Sequence, residues 1–436
     1  MPAMAPNSRG KLTLLQLAAA TYLMVSGGPY GTEELVQDCG YALALAILVI
    51  LPLIWSLPVG LMVGELAAAI PDEGGFYVWV RRALGPFWGF QEAWLSLMAS
   101  VFDMAVYPTL FVAYLGRVAP SATEGGRGFL IGVAFVLACV VWNLFGARAV
   151  GEGSVVLGVL LMSPFVVVVG AALTGHTTHG GAAAQPLAHP DWLAGILVAM
   201  WNYMGWDNAS TVAGEVENPQ KTYPRVMVLA LAVTMLSYLI PIAAAWRAGV
   251  PVADWATGSW VAIASELAGP SLGIALLGAA MVSSFGMFNS LTLSLSRLPL
   301  AMAEEGYAPR VFARKLANGV PWVALLACGA AWIAALQLSF DRLLMLDILL
   351  YGVSLILEFI ALAVLRVREP KLNRPFLVPG GLAGAALLGA GPAALLVIAA
   401  IVNRHEQMGR VSALTVGLMI MGAGVGSYFL TPRRRP

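Results

Sequence analysis

Long apolar runs, separated by short polar segments, are the feature that most constrains how this chain can fold. About 20 apolar residues in a helix cross a bilayer, and the sequence contains twelve such runs. Charged residues make up only 11% of the chain, against about 25% in a soluble domain, so a soluble globular fold is excluded. The predicted spans are Leu12–Val36, Tyr41–Ile70, Pro86–Leu115, Gly128–Phe145, Val150–Thr174, Asp191–Val216, Val226–Trp246, Ser271–Met302, Val320–Leu338, Leu343–Leu365, Gly381–Val402 and Val411–Leu430.

The fold class that follows is an all-α membrane protein with 12 transmembrane helices, because lipid forbids open sheet edges and no alternating strand pattern is present. With the N-terminus inside, 18 of the 24 Lys and Arg residues fall in cytoplasmic segments, as the positive-inside rule requires. We therefore expect an integral protein of the cell membrane, plasma or inner. Its first span is retained rather than cleaved, and both termini are cytoplasmic.

Two spans contain residues that a regular helix cannot accommodate. Span 1 carries Ser26-Gly27-Gly28-Pro29-Tyr30-Gly31, and span 6 carries Trp201-Asn202-Tyr203-Met204-Gly205-Trp206-Asp207-Asn208. Adjacent glycines and a proline interrupt a helix. The breaks lie five helices apart, so a second unit of five enters the membrane in the opposite orientation. Broken helices at corresponding places in two inverted halves indicate the substrate site of a secondary transporter. We predict interruptions at Gly27–Gly31 and Met204–Asn208, with their broken ends facing each other.

This repeat predicts how the chain is divided. Residues 1–11 form a cytoplasmic N-terminus, 12–175 the first half with spans 1 to 5, 191–366 the second half with spans 6 to 10, 381–430 spans 11 and 12, and 431–436 a cytoplasmic C-terminus.

Acidic residues in or near the spans are functional candidates, because an intramembrane carboxylate is costly. They are Glu33, Glu34, Glu65, Glu92, Asp103, Asp207, Glu215, Glu266, Asp347 and Glu358. Glu92, Glu266 and Asp347 lie near span ends or in a loop, where solvent or a basic neighbour accounts for them. Glu65 and Glu358 are either structural partners between helices or functional groups.

The coupling ion is predicted from the same residues. No Lys lies within a span, so a titrating lysine cannot couple protons, whereas a buried carboxylate can. We name Glu33, Asp103 and Glu215 as proton-coupling candidates, and we expect protons rather than sodium.

Other kinds of function find little support. His176, His179, His189 and His405 fall in predicted outer loops, and the three cysteines are too scattered for a disulfide framework, so no metal or cofactor is expected. Enzyme motifs such as H-E-x-x-H are absent, and a net charge of +1 attracts no nucleic acid. Carboxylates staggered along different helices suit an occluded site better than a channel ring. A channel and a membrane enzyme remain distant alternatives.

Several segments resemble the amino acid–polyamine–organocation superfamily of transporters. The matching segments are Ser26-Gly27-Gly28-Pro29-Tyr30, the loop from Pro71 to Gly85, the run from Trp201 through Asp207-Asn208 to Gly214-Glu215-Val216-Glu217-Asn218-Pro219, Ser296-Arg297 with Ala303-Glu304-Glu305-Gly306, and Glu369 to Phe376. They extend from one end of the chain to the other. The finer resemblance is to plant-type polyamine uptake transporters within the light-chain amino acid transporter group, carried by Gly27 to Glu34 and Trp206 to Thr211.

The first break departs from many amino acid carriers of this superfamily. Ser26 and Gly27 stand where those carriers have Gly and then Ser. Pro29 also removes a backbone N–H that could meet a substrate carboxylate. Both differences weaken the case for a carboxylate-bearing substrate.

The resemblance implies the LeuT-like fold, a five-plus-five inverted repeat with two extra helices, in which spans 1 and 6 hold the substrate with spans 3, 8 and 10. It implies that Trp201 is the aromatic gate and that Asp207 contacts the substrate. It places Ser283, Ser284 and Asn289 where sodium-coupled relatives hold an ion, although small residues also serve helix packing.

The predicted substrate is an organic amine. Removing water from an ammonium costs several kcal/mol, and a cation–π contact returns only about 0.5 to 2 kcal/mol, so a polyamine site needs at least one carboxylate. The first choice is Asp207, followed by Glu33. The predicted substrate-binding residues are Gly27, Gly28, Tyr30, Gly31, Glu33, Asp103, Tyr107, Trp201, Tyr203, Trp206, Asp207 and Ser284.

The predicted function is therefore secondary active transport of organic amines, polyamines or amino acids, by alternating access and coupled to protons. The alternative is an amino acid permease or exchanger without polyamine activity.

Overall fold

The computed structural model describes residues 11–175, 187–337, 340–402, 407–408 and 411–430. Predictions that concern the two chain ends, His176, His179 and His405 lie outside these residues. His189 is exposed, as expected of a loop histidine. Cys39, Cys139 and Cys328 are free thiols.

The described residues form helices almost throughout. They are α1 Leu14–Val25, α2 Glu33–Ile54, α3 Ser56–Ala69, α4 Phe76–Leu84, α5 Pro86–Val118, α6 Pro120–Thr123, α7 Arg127–Asn143, α8 Ala147–Leu173, α9 Trp192–Asn202, α10 Pro219–Arg247, α11 Trp260–Ala268, α12 Pro270–Leu295, α13 Arg297–Glu304, α14 Trp322–Ala335, α15 Phe340–Arg368, α16 Gly381–Leu388, α17 Ala390–Val402 and α18 Ala413–Leu430. Three short 3₁₀ segments are Trp206–Glu215, Val252–Asp254 and Arg310–Ala313.

Strands are almost absent from this part of the chain, with one small exception to the all-α prediction. β1 Gln407–Met408 and β2 Val411–Ser412 pair antiparallel just before α18. The predicted last span began at Val411, so its first two residues belong to this hairpin rather than to the helix.

Seven helical stretches in the described residues are long and apolar enough to cross a membrane. They are Glu33–Ala69, Pro86–Arg117, Ala147–Leu173, Pro219–Arg247, Pro270–Glu304, Leu346–Arg368 and Gly381–Ile401. Shorter apolar helices are Leu14–Val25, Arg127–Asn143, Trp322–Ala335 and Leu414–Leu430. Length and composition therefore indicate an integral membrane protein.

Local sequence signals explain where several helices begin. Thr13 and Gln16 form a capping box at the start of α1, which satisfies N–H groups that have no partner in the first turn. Both α5 and α12 start with proline after a glycine whose φ is above 90°. Proline suits the first helical position because its missing N–H would have no partner there.

Span 1 does not end where the sequence predicted. The second half of span 1 begins at Glu33, the first residue of α2, and the same helix continues into the predicted second span. The junction is Gly40, whose φ of 69° and ψ of 170° turn the chain sharply. Only glycine adopts such angles without strain.

Segments predicted to share one membrane face lie together at one end of the bundle. At one end of the bundle, where the predicted cytoplasmic segments lie, Arg82 pairs with Glu369 at 2.6 Å. The Leu12 N–H donates to the Glu215 carbonyl at 2.8 Å at the same end. At the other end, Arg117 donates to the carbonyl of Gly258 at 2.9 Å. We call these ends the Glu369 end and the Gly258 end.

Candidate substrate site

The predicted interruption of span 1 is present between α1 and α2, over residues 26–32. Gly28 and Gly31 have φ of 72° and 85°, which other residues rarely adopt. The Ser283 hydroxyl donates to the Gly27 carbonyl at 2.7 Å. A Cβ on Gly27 would collide with that hydroxyl, so glycine is needed for this close approach.

The backbone N–H groups of the first break are largely occupied. Gly28 donates to the Ser26 hydroxyl at 3.1 Å, and Gly31 donates to the Glu33 carboxylate at 2.6 Å. Pro29 has no N–H to offer. The break therefore presents few free donors to an anionic group.

The predicted interruption of span 6 is also present, between Asn202 and Trp206. Gly205 has a φ of 95°. The Tyr203 carbonyl, freed from helical bonding, accepts from the indole N–H of Trp55 at 3.1 Å and of Trp206 at 2.8 Å. These aromatic side chains thus hold the break in shape.

The second half of span 6 is a 3₁₀ helix, Trp206–Glu215, rather than the α-helix a membrane span usually contains. Neighbouring side chains take its carbonyls. The Ser294 hydroxyl donates to the Asn208 carbonyl at 2.8 Å, and the Tyr223 hydroxyl donates to the Ala209 carbonyl at 2.6 Å. Such competing bonds favour the tighter helix.

The two breaks face each other, as predicted. The Asn202 amide donates to the Gly31 carbonyl at 2.8 Å. A Cβ on Gly205 would lie 2.8 Å from the Met24 carbonyl oxygen. The broken ends of spans 1 and 6 are therefore in direct contact.

A cavity opens beside the facing breaks, between spans 1, 3, 6, 8 and 10. It encloses about 710 Å³ including its open mouth. We call it the Asp207 chamber. The predicted site residues that line it are Gly27, Tyr30, Asp103, Tyr107, Trp201 and Asp207.

Among the described residues, three aspartates line the Asp207 chamber, and no Lys, Arg or His does. The Asp207 carboxylate accepts from the Tyr351 hydroxyl at 2.5 Å, which in turn accepts from the Gly205 N–H at 3.2 Å. Asp103 accepts from the Tyr107 hydroxyl at 2.9 Å. The third aspartate is Asp347. The chamber is thus acidic and bordered by aromatic rings.

A second cavity adjoins the first towards the Gly258 end and shares Gly27, Tyr30, Tyr107, Trp201 and Met287 with it. We call it the Glu33 chamber. It contains Gly31 and Ser284 from the predicted site, together with Glu33 and Glu34. Trp201 borders both chambers, which is the position a gate between them requires.

Acidic side chains at the Gly258 end of the Glu33 chamber are bonded to a loop. The Glu33 carboxylate accepts from the Gly258 N–H at 3.3 Å, and Glu34 accepts from the Thr257 hydroxyl. Consecutive helical residues are about 100° apart, yet Glu33 and Glu34, in the first turn of α2, both line this chamber.

Four predicted site residues lie outside the chambers. Gly28 packs against Leu161, and Tyr203 is buried with its hydroxyl donating to the Leu48 carbonyl at 2.9 Å. Trp206 is buried against the break that it stabilises. Glu215 pairs with the buried Arg297 at 2.9 Å. Sequence position alone did not reveal which way these side chains point.

Asp347 and Tyr351 are lining residues that the sequence reasoning missed. Asp347 was assigned to a span end, where solvent was expected to account for it, yet it is buried and lines the Asp207 chamber. Its spacing of four from Tyr351 puts both on one face of α15. That spacing could have identified the pair. Glu92 was also placed near a span end, but it is fully buried, whereas Glu266 is exposed as expected.

The residues predicted near an ion region have packing partners. Ser283 bonds to Gly27, and the Ser284 hydroxyl donates to the Ala280 carbonyl at 3.2 Å. The Asn289 side-chain oxygen accepts from the Asn143 amide at 2.8 Å.

Comparison with known proteins identifies the same class of protein. The chain matches the amino acid permease family over residues 13–424. It is 34% identical over 422 residues to the polyamine transporter RMV1 of Arabidopsis thaliana. The aligned region covers 96% of this chain and 86% of that protein. The polyamine transporter PUT1 of Oryza sativa subsp. japonica is 34% identical over 434 residues, covering 96% and 79%. The serine/threonine exchanger SteT of Bacillus subtilis (strain 168) is 28% identical over 342 residues, covering 75% and 76%.

The family match extends over nearly the whole chain, and it agrees with the apolar helices and with the motifs quoted from the sequence. This protein therefore belongs to the amino acid permease family, within the amino acid–polyamine–organocation superfamily of membrane transporters.

Proposed function

We propose that this protein is a secondary active transporter whose first substrates are polyamines. The observation that carries the proposal is the charge of the Asp207 chamber, which has three aspartates and no basic side chain among its lining residues. A desolvated ammonium needs anionic partners. Asp103, Asp207 and Asp347 supply them, while an anionic substrate would be repelled.

Aromatic rings complete a site for a linear amine. Tyr30, Tyr107, Trp201 and Tyr351 border the Asp207 chamber, and ring faces attract ammonium groups by about 0.5 to 2 kcal/mol each. Apolar side chains such as Met287 and Leu291 also line it and suit the methylene chain between two amines. The names of the plant relatives, polyamine transporters, support the same substrate class.

An amino acid permease or exchanger is the second candidate, and the likeness to a bacterial serine/threonine exchanger favours it. An amino acid brings a carboxylate that must find donors in the site. The N–H groups of Gly28 and Gly31 already have partners, and Pro29 has none. This occupation is the reason to rank amines without a carboxylate first.

The architecture we propose for this transporter is the LeuT-like fold. Twelve spans form two inverted halves, 12–175 and 191–366, followed by spans 11 and 12 in 381–430. The facing breaks of spans 1 and 6 support it. Both termini are cytoplasmic in this proposal, so the Glu369 end is cytoplasmic and the Glu33 chamber opens outwards. Trp201 then separates that chamber from the substrate.

Uptake into proteoliposomes tests the proposal. Purified protein is reconstituted and supplied with labelled putrescine, spermidine, serine or arginine, with and without an imposed pH gradient. We expect saturable polyamine uptake that the pH gradient stimulates and that does not need sodium. Uptake of serine without any polyamine uptake would favour the exchanger, and a strict sodium requirement would contradict proton coupling.

A further inference from the structure

Two carboxyl groups, those of Glu92 and Glu358, lie between α5 and α15, outside both chambers. The two helices are antiparallel neighbours, since Arg368 near the end of α15 donates to the Ala83 carbonyl, just before α5, at 2.8 Å. Each helix carries two acids eleven residues apart, Glu92 with Asp103 on α5 and Asp347 with Glu358 on α15. Eleven residues are three turns, so each pair shares a helix face and is roughly 16 Å apart.

The aspartates of these pairs line the Asp207 chamber, whereas the glutamates lie nearer the Glu369 end. Glu92 and Glu358 are each 0% exposed. Within the described part of the chain, neither carboxyl oxygen of Glu358 has a hydrogen-bond partner, and one oxygen of Glu92 has none. The other accepts only from the Ser96 hydroxyl, at 3.2 Å. The two glutamates lie within electrostatic range of each other and of Asp207.

Among the side chains that the structure describes, the surrounding helices offer this pair no counter-charge. The titratable groups that act on it are Asp207 and Tyr351, which add no positive charge. Basic side chains on and next to the two helices have other partners. These are Arg81 with Glu305, Arg82 with Glu369, Arg297 with Glu215, Arg366 with Glu65, and Arg117 with the carbonyls of residues 257 and 258. Tyr77 on α4 donates to Glu305, and α12, α16 and α17 carry no acidic or basic residue.

We propose that Glu92 and Glu358 bind a proton in exchange with the amine held at Asp207, an inference that rests on the proposed function. Two unpaired carboxylates in a dry interior would repel each other, and each would cost several kcal/mol in lost hydration. One proton on the pair removes a charge from this dry interior. The interacting carboxyls then titrate as a unit.

The proximity of Asp207 couples the pair to the substrate. While Asp207 is unpaired, its negative charge favours a proton on the glutamates. A bound ammonium cancels that charge, so the O–H bond of the pair breaks and the proton passes to water. By linkage, a proton on the pair weakens amine binding by the same factor. Opposed binding of this kind suits movement of amine and proton in opposite senses.

The three carboxylates predicted from sequence are less suited to this task. Glu33 accepts two backbone N–H groups, and Asp103 accepts from the Tyr107 hydroxyl. Glu215 has the buried cation Arg297 beside it at 2.9 Å. Each of these groups has donors that stabilise its charged form, whereas Glu358 has none.

Infrared spectroscopy tests the protonation of the pair without any substrate. Spectra of the wild type and of Glu92→Gln/Glu358→Gln are compared at neutral pH, because glutamine has the shape of a protonated glutamate. We expect the wild type to show a carboxylic acid C=O band that the double variant lacks. A difference confined to carboxylate bands would overturn the inference. If the double variant does not fold, Glu92→Gln alone gives the same comparison.

Proton release tests the coupling. Putrescine is added to weakly buffered protein, with a pH indicator dye reporting released protons, while labelled putrescine reports binding separately. We expect the wild type and the control Glu152→Gln, an exposed surface acid, to release up to about one proton per bound amine. The double variant should bind putrescine and release almost none. Equal release from the double variant would refute the coupling.

Failure of the proposed function gives a different result. A wild type that binds no amine while keeping the carboxylic acid band would contradict polyamine transport and leave the proton pair supported. A wild type that binds amine but lacks this band would support polyamine transport and contradict the proton pair.

Discussion

Replacing Asp207 by asparagine should separate substrate recognition from a purely structural role. The Asp207 carboxylate lines the chamber and accepts from the Tyr351 hydroxyl at 2.5 Å. The backbone N–H groups of Asp207 and Asn208 also lie close to it, so the side chain could act as a cap for the 3₁₀ segment. Asparagine keeps the acceptor oxygen and caps nearly as well as aspartate, but it has no charge.

The magnitude follows from the composition of the chamber. Removing one partner from a buried charge pair costs about 2 to 5 kcal/mol. Asp103 and Asp347 line the same space and keep part of the negative potential, so the lower value applies. About 2 kcal/mol in the free energy of putrescine binding is roughly a thirtyfold rise in Kd.

The assay is labelled-putrescine binding to purified protein, with proteoliposome uptake at equal protein content. Asp191→Asn is the matched control, because Asp191 caps α9 on the same span by accepting from the Ala194 N–H at 3.0 Å and lines neither chamber. It should bind and transport like the wild type. Normal putrescine binding by a folded Asp207→Asn protein would refute the charge-recognition role and assign Asp207 to capping.

Three further substitutions test the geometry of the site. Tyr351→Phe removes the hydroxyl that donates to Asp207. The variant should fold, and its Kd for putrescine should be roughly tenfold higher. An unchanged Kd would contradict a role of this hydroxyl in amine binding. Trp201→Ala should reduce putrescine uptake roughly tenfold while the amount of protein in the membrane stays the same. Unchanged uptake kinetics would indicate that Trp201 only packs at the membrane interface. Gly205→Ala should abolish transport, because a Cβ there would lie 2.8 Å from the Met24 carbonyl oxygen. Gly306→Ala is the control, because Gly306 also has a positive φ, 84°, but open space around it, and it should retain transport. Equal effects of the two substitutions would refute the contact between the breaks.

The sequence predicted the helices and the breaks well because their signals are local. Apolar length defines a span, and Gly-Gly-Pro or a lone glycine among polar residues interrupts one. Both interruptions in the structure overlap the predicted residues. Helix boundaries that depend on tertiary contacts were predicted less well. The merging of span 1 with span 2 across Gly40 is one case, and the 3₁₀ form of Trp206–Glu215 is another.

The site was predicted only in part because side-chain direction is not a local property. Asp103, Tyr107 and Asp207 reach the chamber. Tyr203 and Trp206 are close to Asp207 in sequence, but they support the backbone of the span 6 break instead. A glycine with positive φ reorients the residues around it. No count of residues along the chain gives that rotation.

Acids near predicted span ends were the largest source of error. Glu92 and Asp347 were assigned to solvated positions because a span boundary is uncertain by several residues. Both are buried, because α5 and α15 pack against each other within the bundle. The matching eleven-residue spacing on two helices became meaningful only when those helices were seen to be neighbours.

The most direct test of the account compares two amines that differ by one group. Ornithine is putrescine with an added carboxylate. An acidic chamber beside a break whose N–H groups are largely occupied should therefore discriminate strongly between them. The measurement is the uptake of each labelled compound into the same proteoliposomes under the same pH gradient. We predict saturable putrescine uptake that excess unlabelled ornithine barely inhibits. Ornithine or serine uptake without putrescine uptake would contradict the account.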